Sequence, residues 1–84
     1  MIDAPSKWLH ATIVALGLTE REAAKAVNVS AATIRAWRAR GIGAELQPWE
    51  RRVPAPTWAR LEPLVKLLRV RHAHVADLVT AFGT

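Results

Sequence analysis

Apolar positions recur at helical spacing along most of this 84-residue chain, and no long run alternates as a half-buried strand does. Trp8, Leu9, Thr12, Ile13 and Leu16 follow Pro5-Ser6 at three- and four-residue intervals. They predict a first helix with Ser6 as its N-cap and Gly17 as its stop. Thr19 followed three residues later by Glu22 is a capping box, and Ala23, Ala24, Ala26 and Val27 then give a short second helix with a small, close-packing face. Asn28 stands where the chain must turn, a residue that tolerates left-handed backbone angles. Ser30 caps a third helix, Ala31 to Arg40, which Gly41 ends.

Residues 41–56, rich in glycine and proline, read as a long loop, with room for a short strand or helical turn around Ala44-Leu46. Beyond it, Leu61, Leu64, Val65 and Leu68 share one helical face. Thr57 can cap that helix, which Pro63 would then kink; or the helix begins at Pro63 as its N1 residue. Val75, Leu78, Val79 and Phe82 make a further stripe, and a single helix from Pro63 to Phe82 is also open. The expected fold is all-α: one domain over residues 1–84, a compact bundle of about five helices with a helix-turn-helix at 19–40, the loop at 41–56 and C-terminal helices at 57–82.

The turn between the second and third helices is so short that the helices must cross steeply. Ala23, Val29, Ile34 and Trp37 are the expected core of that unit. With Ile34 pointing inward, Ala32, Arg35, Ala36 and Ala39 point the other way at 100° per residue. Three alanines and one arginine form a low-relief face that can enter a major groove. There the methyls can meet thymine and the arginine can meet guanine. Arg38 and Arg40 flank the face, where phosphates would lie.

Charge strengthens this picture. The chain carries a formal +5, and residues 35–60 hold six arginines against Glu45 and Glu50, whereas the flanking segments are nearly balanced. An arginine block of this kind is the footprint expected of a nucleic-acid binder. With no cysteine, disulfides and thiolate chemistry are excluded. His10, His72 and His74 make no metal pattern, and no nucleophile is paired with a base. No enzyme activity, metal, cofactor or small-molecule substrate is therefore expected. The N-terminal residues make a poor signal peptide, and no run of about 18 apolar residues suggests a membrane span.

Residues Leu18 to Gly41, LTEREAAKAVNVSAATIRAWRARG, resemble the helix-turn-helix of phage and bacterial regulators of the lambda repressor/Cro superfamily. The likeness rests on Leu18-Thr19, Ala23-Ala24, Asn28-Val29-Ser30, Thr33-Ile34 and Trp37. It implies a lambda repressor-like fold and base reading by Ala31, Ala32, Arg35 and Ala36. It also implies DNA-backbone contacts at Thr19, Arg21, Ser30, Arg38 and Arg40, with Arg51 and Arg52 as a further phosphate clamp in the loop. Glu20 stands where that family often has glutamine, and an acid facing phosphate repels. Asn28 replaces a common glycine, Arg38 an acid, and the 41–56 connection is long.

The motif also resembles that of MerR-like proteins and phage excisionases, through Glu22-Ala23-Ala24, Val29-Ser30, Thr33-Ile34-Arg35, Trp37 and Gly41. There a β-wing follows the motif. The helix before it and the helical stripes after it favour the repressor-like reading here.

The expected function is a Cro-like repressor acting on double-stranded DNA in the cytoplasm of a bacterium or phage-infected cell, as a homodimer at least on DNA. Trp49, Trp58, Val75, Leu78, Val79 and Phe82 are the candidate partner interface. The alternatives are an excisionase-like protein that bends DNA at an attachment site and a helical protein-interaction adaptor that binds no DNA.

Overall fold

A computed structural model describes the backbone of residues 3–82 and the side chains of residues 3–71. The described residues form five α-helices: α1 Ala4–Leu16, α2 Glu20–Val27, α3 Ala31–Gly41, α4 Pro48–Arg52 and α5 Trp58–Phe82. There is no strand among the described residues.

Local chemistry accounts for most helix ends. Thr19 Oγ1 accepts from the Glu22 amide at 3.0 Å, and the Glu22 carboxylate accepts from the Thr19 amide at 3.0 Å. The same Thr19 amide holds the Glu22 carboxyl below the ordinary glutamate range, because only the ionised form is a full acceptor. Asn28 has φ 59 and ψ 51, the left-handed geometry that ends α2. Ser30 Oγ accepts from the Thr33 amide at 3.1 Å and starts α3. Gly17, at φ 66, closes α1 with its amide turned back to Ile13 and Val14.

Two expectations need correction, and the open alternatives for the C-terminal region resolve to one. The N-cap of α1 is Asp3, whose Oδ1 accepts from the Ser6 amide at 2.8 Å; Ser6 lies inside the helix and is fully buried. The 41–56 connection contains α4, begun by Pro48 at its first turn, with the Gln47 amide donating to Glu50 Oε1 at 2.7 Å. A proline that breaks a helix interior is suited to its first turn, so a proline-rich segment can still hold a short helix. The C-terminal region is one helix, capped where Thr57 Oγ1 accepts from the Arg60 amide at 3.2 Å, with Pro63 inside it. Proline removes the hydrogen bond to the Ala59 carbonyl, but Ala59 is exposed.

One core joins four helices. Leu9 and Ile13 of α1 meet Ala23, Ala24 and Val27 of α2, Ile34 and Trp37 of α3, and Leu61 and Leu64 of α5. Trp8 and Val29 pack against it, and the Trp58 ring meets Trp8 edge-on, centroids 5.7 Å apart. The expected motif core of Ala23, Val29, Ile34 and Trp37 therefore lies together. Among the described residues, no helix is long and apolar enough to cross a membrane.

The closest approach is at Gly41. A Cβ there would overlap the Ser6 carbonyl oxygen and lie 2.9 Å from its carbon and 3.2 Å from His10 Cβ. Alpha3 therefore ends directly on the backbone of α1. Gly17 has open space around its Cβ direction and is constrained by its φ alone. Gly41→Ala should cost about 2–3 kcal/mol through overpacking, and Gly17→Ala about 1 kcal/mol through the left-handed strain. Urea denaturation followed by tryptophan fluorescence will rank them; equal effects would contradict the packing argument.

Candidate nucleic-acid interface

Helices α2 and α3, joined by Asn28-Val29-Ser30, carry the candidate surface. The tight turn places the first residue of α2 beside the outer side of α3. Ala32 and Arg35 are exposed, and Ala31, Arg38 and Ala39 are half-buried at the margins. Ala31, Arg35 and Arg38 recur at i, i+4 and i+7 and so form one strip along α3.

Ala36 does not belong to this surface: it is fully buried and cannot read a base. A helical wheel drawn from Ile34 assumes that α3 is covered on one side. It is covered on two, by the core with α1 and by the segment around α4. Ala36 lies one turn before Arg40, on the same side of α3.

Arg40 explains how α4 is held. Its Nη2 faces the carbonyl oxygens of Glu50 at 3.2 Å, Arg51 at 3.3 Å and Val53. These are carbonyls at the C-terminal end of α4, where a cation is favoured. Trp37 adds a second tie, its indole Nε1 donating to the Pro54 carbonyl at 2.8 Å. The Arg40 guanidinium thus faces inward to protein carbonyls rather than outward to the phosphates expected of it. Arg51 and Arg52 are exposed on α4, as is Trp49 beside them.

Thr19 and Ser30 are exposed, with their hydroxyl oxygens engaged as helix caps, and Arg21 is exposed. Trp58 is half-exposed despite its contact with Trp8. The side chains of Val75, Leu78, Val79 and Phe82, like those of His72 and His74, lie outside the described residues. Among the described residues, no three metal-ligating side chains converge.

What the sequence does not reveal is the pairing of Glu20. Its Oε1 lies 3.6 Å from Arg35 Nε and its Oε2 lies 3.8 Å from Arg38 Nη1. Arg38 Nε in turn donates to His10 Nδ1 at 3.2 Å. A chain of contacts therefore runs His10–Arg38–Glu20–Arg35 across α1, α2 and α3. No local spacing announces it, since Glu20 and Arg35 meet only after the turn is folded. With the Arg35 side chain 61% exposed, its ion pair contributes under about 1 kcal/mol to stability. Its effect is on the direction and net charge of the surface.

The chain matches no family model, no curated protein and no solved structure.

Replacing Arg40 should loosen α4 more than the rest of the fold. Arg40→Ala should cost about 2 kcal/mol, since it leaves several carbonyls without their charged donor. Hydrogen exchange of the amides in 49–53 should accelerate beyond the global change. Arg40→Lys should recover only part, because an ammonium lacks the guanidinium fork. Uniform acceleration over all five helices would contradict the local role.

Proposed function

We propose that this chain is a sequence-specific, double-stranded DNA-binding regulator of the lambda repressor/Cro type, with α3 as the helix that enters the major groove. The observation that carries the reading is the outer strip of α3. It has exposed Ala32 and Arg35 on a low-relief surface, with Arg38 beside them. Phosphate contacts by arginine supply affinity that ignores sequence, and base-edge contacts supply discrimination. Arg35 is the base reader in this arrangement, Ala31 and Ala32 let the helix approach, and Arg21, Arg38, Arg51 and Arg52 meet phosphates. Such a protein represses by occupying its site in the cytoplasm of a bacterium or phage-infected cell; no catalysis is needed.

The 42–54 segment weighs for the repressor over the excisionase reading. It carries helix α4 where an excisionase-like protein would carry the strands of a wing. Two copies related by a two-fold axis would place their α3 helices in successive major grooves, about 34–36 Å apart.

The test is selection from a random duplex pool, followed by affinity measurements on the selected and random duplexes. Arg35→Ala should lose about 1–3 kcal/mol on the selected duplex and much less on random DNA. Arg51→Ala should weaken both about equally and lower the salt slope by about 1. Protection mapping should show two symmetric half-sites; direct repeats would favour the excisionase reading. A chain that binds no duplex even at low salt would overturn the proposal and favour the adaptor.

A further inference from the structure

Glu20 is an acid at the opening of the helix that, in a helix-turn-helix, crosses the DNA backbone. As an isolated charge it would oppose binding. Its surroundings say otherwise: each carboxylate oxygen faces a different arginine of α3, Arg35 at 3.6 Å and Arg38 at 3.8 Å. Arg38 is steadied from behind by His10 Nδ1.

Two consequences follow from the geometry. The first is direction. Arg35 is a long, exposed side chain that would otherwise sample many rotamers. Glu20 meets it at Nε, which leaves both terminal nitrogens of the fork available. A guanine offers O6 and N7 to two such donors. The second is charge. Glu20 reduces the three-residue cluster from +2 to +1, so a random stretch of phosphates gains less from it. An arginine that reaches a guanine edge recovers this loss through hydrogen bonds that random DNA does not supply at that position.

We propose that Glu20 is the specificity-determining residue of this surface: it aims Arg35 at a guanine edge in the major groove and penalises sequence-independent phosphate binding. This inference rests on the DNA-binding reading above. Glu20 is a positioning residue, acting through Arg35 and Arg38.

The test compares the full chain with Glu20→Gln, an isosteric change that leaves the Thr19–Glu22 capping box in place. The probes are a duplex selected from a random pool by the unaltered protein and a random-sequence duplex of the same length. For Glu20→Gln, random-duplex binding at about 0.1 M salt should tighten about 5–10-fold, and its salt slope should steepen by about 0.9, the value of one added phosphate neutralisation. Affinity for the selected duplex should rise less, so that discrimination falls at least about 5-fold. Reselection with Glu20→Gln should lose the guanine preference at the same position where Arg35→Ala loses it. Glu20→Asp keeps the charge on a shorter arm. It should retain the original salt slope and lose discrimination, which separates aim from charge. Thermal melting by circular dichroism will verify that both variants fold.

Unchanged discrimination in Glu20→Gln would overturn the inference, as would equal tightening on both duplexes with the same selected sequence. In either case the DNA-binding reading would stand. If the unaltered protein binds neither duplex, that reading falls and this inference with it.

Discussion

The surface of α3 depends on a contact at its far end, where Gly41 meets the backbone of α1 at Ser6 with no room for a side chain. This approach fixes how deeply α3 sits against α1. Leu9 and Ile13 can then meet Ile34 and Trp37 in a fully packed core. Once α3 is seated, Trp37 reaches Pro54 and Arg40 reaches the end of α4, so the long connection is drawn back onto the helix it follows. The face left outward is what remains after α1, the core and α4 have covered the rest. The proposed DNA-reading strip is thus set by packing on the opposite sides of the same helix.

Signals confined to one turn of chain were readable in the sequence. Thr19 with Glu22, Asn28 and Ser30 each act on groups within a few residues of themselves, and each does in the fold what its chemistry predicts. Gly17 is of the same kind. Asp3 and Ser6 are both good cap residues, and the close approach of Gly41 to the Ser6 backbone, a contact distant in sequence, accompanies the burial of Ser6 inside the helix. Pro48 reads as a breaker by composition, but its place in the first turn of α4 makes it a starter. Ala36 falls on the outward side of a wheel drawn from Ile34 alone, yet it is buried, because α3 is covered on more than one side.

The candidate site was legible in part for the same reason. Arg35 on an alanine-rich face follows from periodicity within one helix. The roles of Glu20 and Arg40 follow from contacts across elements, which no spacing rule can supply. Glu20 read alone looks like a defect in a DNA-binding surface, and Arg40 read alone looks like a phosphate clamp. Each reverses its meaning once its partners are known: the acid is flanked by two arginines, and the cation is turned inward to carbonyls.

This reversal changes what the central charge excess means. Six arginines in residues 35–60 suggested a broad basic stripe. In the folded chain Arg40 is engaged internally, and Arg35 and Arg38 share a carboxylate with each other. Among the described residues, the exposed arginines of this segment without such ties are Arg51, Arg52 and Arg60, which lie on α4 and α5 rather than on α3. Within this segment the exposed charge without an internal partner therefore lies off the strip proposed to read bases, and the strip itself is partly neutralised. Coulomb attraction acts over a Debye length, about 10 Å at 0.1 M salt, whereas hydrogen bonds to base edges act only at contact. On the proposed DNA-binding reading, long-range attraction falls to the exposed arginines off the strip, and discrimination falls to the short-range contacts of α3. A reader helix carrying the full excess would bind every sequence more tightly and distinguish among them less.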